Sequence, residues 1–157
     1  KSSLAGSSLL FYMLSYAFTT FGAFGIIILL GRKGEENLEL ENYSGLAYKH
    51  PLMALSMTVF LLSLGGLPPF AGFVAKFYIF SAAIEEGFVT LVIIAVLNSA
   101  ISFYYYLKIV VFMYMKEPEG EFQISLTPMT VFVVILGLIG TIELGIFPDT
   151  IISLTIH

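Results

Sequence analysis

Residues 62–78 read LSLGGLPPFAGFVAKFY and decide how this chain folds. They lie inside an apolar tract, 51–84, of about 34 residues, which would be ~50 Å long as one straight helix and exceeds the ~30 Å of hydrocarbon in a bilayer. Its prolines remove backbone donors and clash with the preceding turn, and its glycines permit non-helical dihedrals. We therefore expect a helix that is broken between positions 65 and 72. The residues that break it are Gly65, Gly66, Pro68, Pro69 and Gly72.

Charged side chains are scarce and, apart from Lys76, Lys108 and Glu143, lie outside the long apolar tracts. The 157 residues are 58% hydrophobic and only 11% charged, against ~25% charged in an average soluble domain. A soluble helical core would need polar faces at helical spacing, which these tracts lack. We therefore predict an all-α integral membrane fold with four transmembrane helices, the second one broken, as a single transmembrane segment over 1–157. The helices are expected at about 4–31, 51–84, 88–115 and 128–147.

Composition also excludes several kinds of site. The chain has no cysteine and 2 histidines, so it offers no thiol chemistry and no spaced set of metal ligands. No run of Lys and Arg suggests nucleic acid, and no phosphate loop or dinucleotide fingerprint is present. We expect no cofactor or metal in this chain. A membrane span that begins within a few residues of Lys1, without an initiator Met, indicates a fragment of a larger helical bundle.

Loop charges predict an orientation in the membrane. The loops at 32–50 and 116–127 hold basic residues, whereas the loop between the second and third tracts holds Glu85 and Glu86 and no base. By the positive-inside tendency, the first two loops face the cytoplasm and Glu85 faces outward. The basic residues concerned are Arg32, Lys33, Lys49 and Lys116.

Lys76 is the main candidate for a functional residue. It follows the predicted break by one helical turn and precedes Ile84 by about 12 Å of helix, which places it within the membrane. A charge at that depth costs at least ~2.5 kcal/mol, so it usually faces protein or water and has a function. Burial disfavours the charged form of a lysine, which suits it to gaining and losing a proton. Two alternatives stay open, namely outward snorkelling of a long side chain and a proline kink used only for packing.

The other polar residues of the tracts have simpler interpretations. Lys108 is a second candidate for proton transfer, but it lies near the cytoplasmic end of its tract beside three tyrosines, where snorkelling explains it. Glu143 is close to the outer surface and is expected to be solvated or paired. Hydrogen bonds between helices are the default for Asn98, Ser99 and Ser102. Close helix packing is expected at Gly22, Gly25, Gly137, Gly140 and Thr141.

The motif at 62–78 resembles the broken, lysine-bearing helix of the antiporter-like subunits of respiratory complex I. Three further stretches are similar to the subunit N branch of that family: 16–25 (YAFTTFGAFG), 98–108 (NSAISFYYYLK) and 144–148 (LGIFP). The resemblance covers nearly the whole chain and matches the last four helices of such a subunit.

This resemblance implies a proton-translocating membrane subunit of NADH-quinone oxidoreductase, with Lys76 as the proton relay of its second repeat. NADH, flavin, iron-sulfur clusters and quinone would then belong to other parts of the complex. The expected partners are the other membrane subunits, the missing N-terminal part of the same subunit and the lipid of a bacterial inner membrane. Related subunits in cation/proton antiporters and membrane-bound hydrogenases remain an alternative, as does a purely structural membrane anchor.

Overall fold

The computed structural model describes residues 2–31, 39–118, 122 and 124–148. The basic residues Arg32 and Lys33 of the first loop lie outside the described residues, as does the tail from 149 to 157. The helices, in chain order, are α1 Ser2–Leu30, α2 Leu46–Lys49, α3 Pro51–Gly65, α4 Ala71–Glu85, α5 Val89–Met115 and α6 Pro128–Ile146, with a 3-10 turn at Leu40–Tyr43 before α2.

Three of these helices are long and apolar enough to cross a membrane alone: Gly6–Leu30 within α1, Val89–Met115 and Pro128–Ile146. The remaining crossing, which is the second along the chain, is divided between α3 and α4. α3 and α4 have 15 residues each, so each extends ~22 Å and neither covers the hydrocarbon by itself. The predicted all-helical membrane fold with a broken second helix is confirmed.

Proline begins two of the helices. Pro51 and Pro128 occupy the first turn of α3 and α6, where a helix has no intrahelical acceptor for the missing N–H.

Close contact between α1 and α6 organises the bundle. Gly137 lies so near α1 that an added methyl group would meet the Phe18 carbonyl and the Gly22 backbone, and a methyl on Gly25 would meet Val134. Small residues let two membrane helices approach until their backbones touch. α1 also contacts α3 and α4, so it stands against both halves of the broken element.

A short cap, defined here as residues 40–49, closes the end of the bundle at which α1 and α5 finish. The Gly45 N–H donates to the Phe112 carbonyl in the last turn of α5 at 3.1 Å, which satisfies one acceptor that the helix end leaves free. Leu46 is fully buried in the core below it. The sequence predicts a plain loop for this segment, but tertiary contacts give it a 3-10 turn and a short helix.

Candidate functional site

The break begins with a glycine cap on α3. Gly66 has φ +83, a left-handed conformation that glycine adopts without steric cost. Its N–H donates to the Ser63 carbonyl at 2.9 Å, and the Leu67 N–H donates to the Leu62 carbonyl at 2.9 Å. This pair of bonds is the Schellman motif, which satisfies two carbonyls of the final turn and leaves the next carbonyl, that of Leu64, free for another donor.

Lys76 provides that donor. Its Nζ lies 2.9 Å from the Leu64 carbonyl oxygen, so the side chain of α4 reaches back across the break to the end of α3. The C-terminal end of a helix carries partial negative charge from its free carbonyls and favours a cation. Within the described ranges Lys76 forms no ion pair, and the side chain is half-buried. The ammonium is directed toward the break and away from the Glu85 end of α4.

Ser63 fixes the start of α4 against α3. Its hydroxyl accepts a hydrogen bond from the Gly72 N–H at 3.0 Å, in the first turn of α4 where backbone donors lack intrahelical partners. A methyl group on Gly72 would overlap the Ser63 carbonyl. On the opposite side, Gly145 of α6 allows the backbone of Pro69 and Phe70 to lie directly against it. The peptide bond between Pro68 and Pro69 is cis.

A buried hydroxyl cluster joins the break to its neighbours. We use this name for Thr19 of α1, Ser63 of α3 and Thr141 of α6, which are exposed by at most 1%. Thr19 Oγ1 lies 2.7 Å from the Ser15 carbonyl, 3.3 Å from Ser63 Oγ and 3.4 Å from Thr141 Oγ1. The single proton of Thr19 goes to the carbonyl, which is only an acceptor, so Ser63 and Thr141 must both donate to Thr19.

Two cavities meet at Lys76. The first, of about 230 Å³, extends from the break along a polar stripe of α1 and another of α5. The second, of about 490 Å³, follows α4 and α5 toward Ala83 and Leu91, near the loop of Glu85. The side chains that line both are Tyr12, Lys76, Asn98 and Ser99. The first cavity is large and polar enough for water.

Ser15 adds an unsatisfied group to the first cavity. Its residue is 1% exposed, and its hydroxyl oxygen has no hydrogen-bond partner in the part of the chain that the structure describes. A buried hydroxyl of this kind is normally paired with protein or water. The rim of the cavity is open, because Tyr16 and Asn98 are exposed.

The structure brings together some of the candidate residues and separates others. Lys76 and the break residues form one site. Lys108 is exposed, as is Glu143, and neither of them lines the cavities at Lys76. The polar residues of α5 differ from expectation, since Asn98, Ser99 and Ser102 line cavities and Ser102 Oγ donates to the Asn98 carbonyl within its own helix at 2.9 Å.

Sequence reasoning missed the hydroxyls of Ser15, Thr19 and Ser63. Single Ser and Thr residues are common in membrane helices and carry little signal by themselves. One signal was available: Ser15 and Thr19 are one helical turn apart and so share a face of α1. No group of three or more metal-ligating side chains occurs among residues 2–31, 39–118, 122 and 124–148.

A lysine held at the junction of two half-helices, beside a polar cavity within a membrane bundle, is typical of proteins that transport ions or protons. Residues 1–102 match the sequence family described as "NADH:quinone oxidoreductase/Mrp antiporter, TM". The chain belongs to this family.

Relatives and a solved structure extend the comparison over nearly the whole chain. NADH-quinone oxidoreductase subunit N of Trichlorobacter lovleyi is 49% identical over 94% of this chain and 30% of that protein. Subunit N 2 of Rhizobium meliloti is 46% identical over 90% of this chain and 30% of that protein. A chain of respiratory complex I from Thermus thermophilus, solved with bound aureothin, matches with 31% identity and a TM-score of 0.82 over 94% of this chain and 34% of that one. The chain thus spans about 30% of the length of the relatives it matches.

Proposed function

We propose that this chain is the C-terminal part of a proton-translocating membrane subunit of NADH-quinone oxidoreductase, and that Lys76 is its proton carrier. The observation that carries the proposal is the bond from Lys76 Nζ to the Leu64 carbonyl at the helix break. The similarity to subunit N of several bacteria supports it.

The Leu64 carbonyl is a suitable acceptor for a lysine that changes its protonation state. A carboxylate beside the ammonium would favour the charged form strongly. A backbone carbonyl accepts a hydrogen bond from an ammonium and also from a neutral amine, because both have N–H groups. Lys76 can therefore stay in place at Leu64 before and after it loses a proton, and it lines the first cavity, which is polar enough to hold water.

The open rim of the first cavity supports a larger assembly. Asn98 is polar and exposed on α5, and an uncovered amide in contact with hydrocarbon is unfavourable. We therefore assign the covering surface to the remaining part of the same subunit, followed by other membrane subunits of complex I and lipid. NADH, flavin, iron-sulfur clusters and quinone are assigned to other subunits, and the location to the bacterial inner membrane.

Two other functions make different predictions. The family description includes Mrp antiporters, so exchange of a cation for protons is the second candidate, and sodium-dependent transport by the intact parent would favour it. A membrane-bound hydrogenase subunit would use the same lysine with another electron donor. A structural anchor predicts that replacement of Lys76 changes assembly without changing transport.

The experiment is proton pumping by the purified parent complex in liposomes, driven by NADH and followed with a fluorescent pH-gradient probe. Lys76→Met retains most of the aliphatic stem and removes the titratable amine. Lys108→Met is the matched control, because Lys108 is exposed and lies away from the cavities. We expect assembled complexes in both cases, with pumping lowered only by Lys76→Met. Wild-type pumping by an assembled Lys76→Met complex would refute the assignment.

A further inference from the structure

The hydroxyl cluster lies one residue from the carbonyl that holds Lys76. Ser63 belongs to the cluster, and the next residue, Leu64, supplies the acceptor for Lys76 Nζ. The orientation of the Leu64 carbonyl depends on how the last turn of α3 is held. The Ser63 hydroxyl holds that turn on two sides, because it accepts from the Gly72 N–H and donates to Thr19 Oγ1.

Donor and acceptor roles in the cluster leave little freedom. Ser63 Oγ accepts from the Gly72 N–H of α4 and uses its own proton for Thr19 Oγ1. Thr19 accepts from Thr141 of α6 as well, while its proton is committed to the Ser15 carbonyl. One threonine hydroxyl therefore links its own helix to α3 and α6 directly and to α4 through Ser63.

We propose that Thr19 is a positioning residue for Lys76. Its hydroxyl holds Ser63 in the rotamer that caps α4, and this keeps the Leu64 carbonyl within reach of the lysine. The three residues of the cluster are exposed by at most 1%, so the loss of one of their bonds has a cost even though Thr19 and Ser63 also line the first cavity. The inference rests on the proposed function of Lys76, since it assigns Thr19 a role in the same proton transfer.

Shape and hydrogen bonding can be separated at this position. Thr19→Val keeps the volume and branching of threonine and removes the hydroxyl, whereas Thr19→Ser keeps the hydroxyl and removes a methyl group. A hydroxyl role predicts damage from valine and tolerance of serine; a packing role predicts the reverse. Thr20→Val is the matched control, because the buried Thr20 hydroxyl has no hydrogen-bond partner within the described part of the chain.

The test uses the reconstituted parent complex and measures NADH-driven proton pumping per assembled complex. We define the Lys76-dependent part as the difference between the wild type and Lys76→Met. Thr19→Val removes three hydrogen bonds, of which only the one to Ser63 bears on Lys76. We expect the loss of that bond to lower the Lys76-dependent part roughly fivefold, and Thr19→Ser and Thr20→Val to leave it unchanged. Addition of Thr19→Val to Lys76→Met should cause no further fall, because a positioning residue acts through the lysine.

Several results would overturn the inference. These are wild-type pumping by Thr19→Val, equal damage from Thr19→Ser, and a further loss when Thr19→Val is added to Lys76→Met. If Thr19→Val does not assemble, Ser63→Ala takes its place. It removes the link to Gly72 and leaves the bonds of Thr19 to Ser15 and Thr141 intact, so wild-type pumping by Ser63→Ala would be equally decisive. Failure of the proposed function is distinguishable, because it leaves Lys76→Met with normal pumping.

Discussion

Gly72→Ala should weaken the joint between α3 and α4. A Cβ at this position would overlap the Ser63 carbonyl, which belongs to the backbone and has no side-chain rotation by which to move away. Extra volume in a tightly packed site costs ~1–3 kcal/mol, and a backbone neighbour places this case at the upper end. Alanine recovers ~0.5–1 kcal/mol of helix propensity, so the net cost is ~2–2.5 kcal/mol, with α4 displaced from α3.

Gly6→Ala is the matched control, because nothing lies within 4 Å of a Cβ added there and the position is in the same kind of apolar helix. It should be neutral or slightly favourable. The assay is the midpoint temperature of disassembly of the purified parent complex, followed on native gels, together with NADH-driven pumping before heating. We expect Gly72→Ala to lower both. Identical midpoints and identical pumping for the two variants would show that Gly72 does not lie close against the Ser63 carbonyl.

Further predictions concern the glycine that ends α3, the cap at residues 40–49 and the orientation of the chain in the membrane. Gly66→Ala should cost ~1–2 kcal/mol because Gly66 is left-handed, and Gly66→Asn should cost less; equal midpoints for the two variants in the disassembly assay would contradict this. Gly45→Ala should lower the midpoint as well, because Gly45 has φ +69 and a Cβ there would meet Pro118. An unchanged midpoint would contradict the close packing of Gly45 against Pro118. In oriented membranes that hold the parent subunit without other reactive cysteines, a single cysteine at Glu86 should react only with an outside thiol reagent and one at Lys116 only with a cytoplasmic one; the reverse pattern would invert the predicted topology.

The broken helix could be predicted because its causes are local. Two adjacent prolines and flanking glycines disfavour a continuous helix whatever surrounds them, and the length of 51–84 required an interruption. The structure places the break between the end of α3 at Gly65 and the start of α4 at Ala71, within the predicted limits. The position of Lys76, one helical turn beyond the break, also follows from its spacing in the sequence.

The acceptor of Lys76 could not be predicted, because it is a backbone carbonyl. Every residue has one, and only the Schellman bonds of Gly66 and Leu67 decide which carbonyl stays free. The hydroxyl cluster could not be predicted either, for a related reason. Thr19, Ser63 and Thr141 are far apart in the chain, and their meeting depends on the packing of α1 against α3 and α6.

The structure of the cap at residues 40–49 could not be predicted either, because it also depends on tertiary contacts. A four-residue helix has no useful periodicity, and charged neighbours make the segment resemble a solvated loop. Leu46 is nevertheless fully buried, because the Gly45 N–H bonds to the end of α5 and holds the segment over the core. The packing glycines of α1 and α6 were predictable, since small residues at helical spacing in apolar tracts indicate close contact.

Lys76→Arg gives the most direct test of the claim that Lys76 carries a proton and does not merely provide a fixed charge. Arginine retains the positive charge and can donate to the Leu64 carbonyl, but it stays protonated in proteins. Proton pumping would be measured in liposomes with assembled parent complexes that contain lysine, arginine or methionine at position 76. We expect the arginine complex to pump no better than the methionine complex. Pumping at the wild-type level with arginine would contradict it and would leave Lys76 as a structural cation at the helix break.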